Sequence, residues 1–420
     1  MSVRRSAVVL AATAVIGTAF APAALADESP SASPSPAPPA GLYGSTDPTY
    51  DGVWRQSLAL LAQHTVGVRP AAKAVDWLTG QQCANGAFAA YRADPSKQCD
   101  AKTQVDTNST AAALQALAAL DADDAVTGAA VKWLKSVQNE DGSWGYLPGG
   151  AGDTNSTSVV TGALEAAGTD TRDLRSKGGR TPYDALRGLA VPCGQDGGGA
   201  FAFQPDKKGG LAANADATAA GVLGVLGEGL VTEPGDDGAS AGSAECTAGD
   251  SLTPEQTAGN GAAYLAGAVA ESGHLMSALA GAEDQPDHGN TADTVVALAA
   301  AGRTADARKP LAWLEKNSGS WAAKSGPAAY AQLIFAAHAT GADPRDFGGA
   351  DLVKQLGATG PAARAAGEDG AKADQQDKDN DNDKGEESGG ADIWWIIGVG
   401  LVGGIGVGFL LSGRTKKRQP

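Results

Sequence analysis

The chain has 420 residues, only 5% of them aromatic, and carries 48 acidic against 32 basic side chains, a formal net charge of −16. All the acids lie between Asp27 and Asp392, whereas Arg4, Arg5, Arg414, Lys416, Lys417 and Arg418 lie outside that span, so the middle carries a net charge of −22. Such a body excludes nucleic acid as a partner, because phosphate backbones are held by basic patches, and it argues against adhesion to an anionic lipid surface.

Met1–Ala26 reads as an export signal: Arg4-Arg5 precede the apolar stretch Ala7–Phe20, and Ala24-Leu25-Ala26 has the small-x-small pattern of a cleavage site. Residues 27–45 follow as a linker whose Ser/Pro/Ala composition, to Ala40, cannot pack and is expected to stay extended. Export implies an oxidising compartment, so Cys83, Cys99, Cys193 and Cys246 are expected to form two disulfides. Of the three possible connectivities, Cys83–Cys99 with Cys193–Cys246 is favoured, each bridge stapling a loop.

Residues 46–357 repeat themselves. Asp106-Thr107-Asn108-Ser109-Thr110 opens an apolar run to Leu120, and Asp153-Thr154-Asn155-Ser156-Thr157 opens another to Ala167. Asn214-Ala215-Asp216-Ala217-Thr218 opens the run to Leu226, and Asn290-Thr291-Ala292-Asp293-Thr294 the run to Ala301. The shared D/N-x-x-x-T is a helix-start signal, since short polar side chains accept hydrogen bonds from the unpaired amides of a first turn. Alternate helices echo each other as Val75-Asp76-Trp77-Leu78, Val131-Lys132-Trp133-Leu134 and Leu311-Ala312-Trp313-Leu314.

The spacing predicts six inner–outer helical pairs: 51–65 with 70–79, 107–120 with 125–137, 156–167 with 182–190, 215–227 with 253–271, 290–301 with 305–317, and 328–340 with 346–356. One such pair cannot bury its apolar face alone, so the repeats must stack. Six pairs closing on themselves need no polar caps at the ends, which an open superhelix would.

Residues 358–392 are expected to be a disordered acidic stalk; Glu368–Glu387 alone holds nine acids and three lysines. Ile393–Leu411 is an uncharged 19-residue stretch, long enough for one membrane-spanning helix. Trp394 and Trp395 sit at its outer edge, and the basic tail at 412–420 belongs on the cytoplasmic side, leaving the repeats outside the cell membrane.

The repeats resemble the all-α (α/α)6 toroid of the prenyltransferase/squalene-oxidase (terpene cyclase) repeat family, and more distantly the toroid domain of the cobalamin carriers. Gln138-Asn139-Glu140-Asp141-Gly142-Ser143-Trp144-Gly145 matches the cyclases' QW repeat motif closely, and Gln81-Gln82-Cys83-Ala84-Asn85-Gly86-Ala87-Phe88 loosely. The resemblance implies the fold more than an activity. Of the cyclases' D-x-D-D-T-A, whose middle acid protonates an alkene, Asn214-Ala215-Asp216-Ala217-Thr218-Ala219 keeps only the middle acid, making Asp216 the candidate catalytic residue. Asp121-Ala122-Asp123-Asp124 does read DxDD, but it follows an inner helix and is taken for a solvated turn. Zinc ligands of the prenyltransferase type and the thioester sequence are missing, so no metal and no cofactor are predicted. The cobalamin carriers add a β domain that this chain would have to find in another protein.

In such a toroid the inner-helix starts converge on one mouth of a central cavity. Asp106, Asn108, Asp153, Asn155, Asn214, Asp216, Asn290 and Asp293 would then form an acidic ring. Capping explains each residue singly; together the ring is a candidate ligand site. His288 with Asp293 is a candidate metal pair, though capping is the simpler account. Trp77, Trp133, Trp144 and Trp313 are assigned to core packing, and the sequons at Asn108 and Asn155 to helix starts. The function this favours is a non-catalytic domain, exported and anchored at the cell surface, that binds a ligand or an envelope protein. The alternatives are a divergent terpene cyclase or prenyltransferase acting on a polyprenyl substrate, and a corrinoid-capture component of a transporter.

Overall fold

The computed structural model describes residues 39–234, 245–249, 251–278 and 284–364. The expected export signal, the linker before residue 39, the stalk from residue 365 and the apolar stretch at 393–411 lie outside the described residues. Among the described residues no helix is long and apolar enough to cross a membrane.

The repeats fold as α1 (Gly52–Thr65), α2 (Ala72–Gly80), α3 (Thr107–Ala119), α4 (Asp124–Ser136), α5 (Thr154–Ala166), α6 (Pro182–Gly188) and α7 (Ala215–Leu226). They continue as α8 (Pro254–Val269), α9 (His288–Ala300), α10 (Thr304–Asn317), α11 (Gly319–Ser325), α12 (Pro327–Ala339) and α13 (Leu352–Gly357). α1, α3, α5, α7, α9 and α12 pack each on the next, and α12 packs back on α1, closing an inner ring. α2, α4, α6, α8, α10 and α13 flank that ring. The predicted pairs are all present; α11 is a short extra helix that no cap or apolar stripe announces.

Burial separates the two layers. α12 (PAAYAQLIFAAHA) is buried on every face between its neighbours and the outer layer. α4 buries only Ala130, Trp133 and Leu134, an i, i+3, i+4 stripe that lays one side on the ring. Alanine serves the inner helices twice, with high helix propensity and a side chain small enough for close approach.

The repeated motifs are joints between layers. Asp106, Asp153 and Asn214 each accept the amide of the residue three further on, capping α3, α5 and α7. The threonine that follows each cap takes an amide from the incoming loop: Phe88 N donates to Thr110 Oγ1 (2.9 Å), Trp144 N to Thr157 Oγ1 (3.1 Å) and Phe201 N to Thr218 Oγ1 (2.9 Å). Gln82 and Gln138 tie the turn before that aromatic residue by donating to the carbonyls of Gly86 (3.1 Å) and Gly142 (2.9 Å). Gly142 must be glycine there: its φ is +90°, and a Cβ would run into the carbonyl of Thr181. Short ladders stiffen the same connections, β1 (Phe88–Ala89) against β2 (Val105–Asp106) and β3 (Leu275–Met276) against β4 (Pro286–Asp287), both antiparallel.

Disulfides join Cys83 to Cys99 and Cys193 to Cys246, the favoured connectivity. Just beyond the Ser/Pro/Ala spacer expected to end at Ala40, Leu42 and Tyr43 are buried. Tyr43 N donates to Gln56 Oε1 (2.8 Å), its hydroxyl to Gln63 Oε1 (3.1 Å), and Gly44 N to the carbonyl of Thr359 (2.8 Å). The two ends of the repeat region thus meet beside α1, where the ring closes.

Candidate functional site

The eight residues of the expected acidic ring do not share one place. Asp106, Asp153 and Asn214 turn back onto their own helix starts as caps. Asn108 is buried with its Oδ1 accepting from Thr107 Oγ1 (3.1 Å) and its Nδ2 without a partner. Asn155, Asp216 and Asp293 face the space enclosed by the inner helices.

The register of α9 differs from the expected one. Asp287, not Asn290, is the cap: it accepts from Asn290 N (3.0 Å), and Leu275 N donates to Thr291 Oγ1 (3.0 Å) as the loop amides do in the other repeats. Asp287-x-x-x-Thr291 and Asn290-x-x-x-Thr294 both satisfy the start motif, so the sequence alone reads two registers three residues apart. The shift places Asn290 in the first turn, its Nδ2 donating to Asp287 Oδ2 (2.7 Å), and sets Asp293 more than a turn deeper along the helix.

The central cavity has a volume of about 110 Å³. Its wall follows helical periodicity: Trp54 and Leu58 on α1; Asn155, Ser158 and Val159 on α5; Asp216, Ala219, Ala220 and Leu223 on α7; Asp293 and Val296 on α9; Gln332 and Phe335 on α12. These are i, i+3, i+4 and i+7 positions, one stripe per helix. The segment after α7 closes the end away from the caps with Glu228, Gly229 and Leu230. Leu230 N donates to Gln115 Oε1 (2.8 Å), and the segment lies so close to α5 that a Cβ on Gly162 would fall 2.8 Å from the Cα of Gly229 and run into the carbonyl of Glu228. Gly162→Ala should therefore displace this closing segment and lower stability by about 1–3 kcal/mol, the usual result of overpacking. An unchanged unfolding midpoint in urea would show that the segment yields freely.

Polar groups gather on one side of the cavity. Asn155 Nδ2 donates to Asp216 Oδ2 (2.8 Å), and Gln332 Nε2 to both oxygens of Asp293 (3.2 Å each). Burial pushes the Asp216 carboxyl above the ordinary carboxylate range, against the pull of Asn155, and Asp287 adds to the rise. Asp293 is pushed up to about 7 by burial first and then by the charge of Asp216. Burial raises Asp287 as well. Removal from water disfavours the charged form, and like charges disfavour it further. Among the described residues the carboxyl partners are all amides, and no basic side chain offsets the cluster. Two further atoms have no partner at all: Asn155 Oδ1 and Ser158 Oγ, on residues that are each 3% exposed and line the cavity.

Trp54, Ser158, Glu228, Gln332 and Phe335 were not foreseen as lining residues. Gln332 carried a readable signal, as a lone amide midway through the apolar α12. Of the expected alternatives, His288 stacks on Trp321 (ring centroids 5.3 Å) and tilts against Trp313 (4.9 Å), whereas Asp293 faces Gln332, so the two do not converge on one ion. Asp121, Asp123 and Asp124 are exposed, and Asp123 caps α4 by accepting from Ala125 N (2.8 Å). Trp133 and Trp144 belong to the core, with Trp77 and Trp313 packed against it. Asn108 and Asn155, the sequon asparagines, are each 3% exposed.

Residues 54–177 match the family model of the prenyltransferase alpha-alpha toroid domain. No curated protein matches the chain. Among solved structures, a protein from Actinoplanes is similar at 15% identity, with 73% of this chain and 95% of that one covered and a TM-score of 0.47. The type II terpene cyclase MstE from Scytonema is similar at 14% identity, with 65% and 72% covered and a TM-score of 0.43.

Proposed function

From the prenyltransferase alpha-alpha toroid domain that residues 54–177 carry, we propose a non-catalytic binding protein whose central cavity holds a small molecule. One observation supports this above the others: Asp216, Glu228 and Asp293 stand together at the wall of a cavity whose lining is otherwise mostly apolar. A few convergent polar groups in an apolar concavity are the usual make-up of a small-molecule site. The apolar walls from Leu58, Val159, Leu223, Leu230 and Val296 give the ligand a place for carbon. The uncharged stretch at 393–411 and the basic tail behind it support a domain tethered to the outer face of a cell membrane, presenting its ligand to an envelope partner.

Asp216 keeps a second reading open. It occupies the middle position of the degenerate acid motif, lies on the cavity, and its raised carboxyl retains a proton to higher pH than usual, as an acid acting on an isoprenoid alkene must. Size argues against it. At about 110 Å³ the cavity falls well below the roughly 300–1,000 Å³ of ordinary small-molecule sites, and a polyprenyl chain is larger than most occupants of those.

Native mass spectrometry of the full chain, extracted in detergent from its own host's membranes, tests the reading. A reproducible small added mass is expected, and it should vanish in Ala220→Phe, which fills the cavity, with the unfolding temperature retained. A bare polypeptide in the parent protein would overturn the proposal. Turnover of an isoprenoid by the parent chain, abolished in Asp216→Asn, would replace it with the acid-catalysis reading.

A further inference from the structure

Among the described residues the cavity wall holds three carboxylates, Asp216, Glu228 and Asp293, and no lysine, arginine or histidine. Burying carboxylates without a counter-charge is unfavourable, and proteins ordinarily pair such groups. Here the side-chain partners are neutral amides: Asn155 on Asp216, Gln332 on Asp293. Trp54 and Phe335 bring two aromatic rings to the same space, and ring faces attract cations. The ionisable groups and the ring faces at the wall therefore favour a positively charged donor. An anion such as a phosphate or diphosphate would meet three carboxylates and no base.

Resting on the cavity-binding reading above, we propose that the ligand is a small organic ammonium ion, its charged nitrogen received by the carboxylates of Asp216 and Asp293 and its short carbon body by the apolar wall. A primary ammonium has three donors and no acceptor, and carboxylates are acceptors only. The cavity volume of about 110 Å³ leaves room for a body of only a few carbons.

Isothermal titration calorimetry of the full chain in detergent at pH 7.5, with n-butylammonium, n-butanol and butyrate, tests this. The three probes share a carbon skeleton and differ in the charge of the head. The ammonium ion should bind at least about tenfold more tightly than the alcohol, a difference on the scale of one charged contact, and butyrate should not bind. Asp293→Asn should weaken the ammonium ion by about tenfold or more and leave the alcohol unchanged, a split that a general loosening of the fold does not produce. Equal or tighter binding of butanol would end the ammonium assignment and leave a neutral-ligand cavity intact. Failure of all three probes, together with a bare polypeptide in the mass spectrum, would end both readings.

Discussion

Asp293→Asn should stabilise the protein at pH 8 by up to roughly 4 kcal/mol and leave its stability near pH 4 unchanged. The carboxyl stands half-buried at the cavity wall, accepts from the Gln332 amide, and is pushed up to about 7 by loss of water and by Asp216. In the unfolded chain the same group titrates near the ordinary aspartate value of about 3.9. Between those two pH values the folded protein keeps a proton that the unfolded chain releases. A raised folded-state carboxyl therefore contributes stability that is full below about pH 4 and is lost as pH rises through about 7. Asparagine has no charge to bury and keeps an oxygen for Gln332, so the variant should lack that decline. Chemical denaturation at pH 5, 6, 7 and 8 reads the effect directly. Parallel pH profiles for parent and variant would sink it, and would place Asp293 in contact with water or a counter-charge. Asp216 is raised in the same direction, so the parent's remaining slope in this window should shrink again in the double variant Asp216→Asn/Asp293→Asn.

Trp144→Ala should lower stability by about 3–5 kcal/mol, as removal of a large buried aromatic side chain does elsewhere. Trp144 is 0% exposed, and its indole Nε1 donates to the carbonyl of Leu134 (2.8 Å), near the end of α4. Its backbone N meets Thr157 Oγ1 (3.1 Å) in the first turn of α5. The ring thus pins the end of an outer helix to the start of the next inner one, and alanine leaves a cavity and removes that indole hydrogen bond from the joint. In a stack of repeats the loss falls on an interface as well as on one side chain. A loss this large is a sizeable fraction of the whole stability of an ordinary domain. A shift below about 1 kcal/mol in urea denaturation, with the disulfides intact, would show that the joint is redundant.

The repeat architecture was legible because it is written locally. Caps, apolar runs and the turn glycines act within a few residues of themselves, and their recurrence announces a stack. Closure was legible too, as the arrangement that hides both end faces. The extra helix α11 was not, since it is short and carries no cap. Nor was the packing of Leu42 and Tyr43: their burial depends on Gln56, Gln63 and Thr359, which come close only once the ring has closed.

The candidate site divides in the same way. Sequence alone marked Asn155, Asp216 and Asp293 as polar residues at the starts of inner helices, but it marked Asp106, Asp153 and Asn214 equally, because a cap and a cavity residue, as with Asp153 and Asn155 or Asn214 and Asp216, can differ by two positions within one turn. The register of α9 was ambiguous for the same reason, with Asp287 and Asn290 each able to begin the motif. Which carboxyl turns back to its own amides and which faces the centre is decided by rotation of the helix against its neighbours. That rotation is set by packing around the whole ring. The protonation of Asp293 is decided there as well: its burial comes from the surrounding helices and its repulsion from Asp216 on α7. Local hydrogen bonding determined the helices and their order; only the closed ring, by bringing residues far apart in the chain against one another and excluding water, made three acids into one cavity.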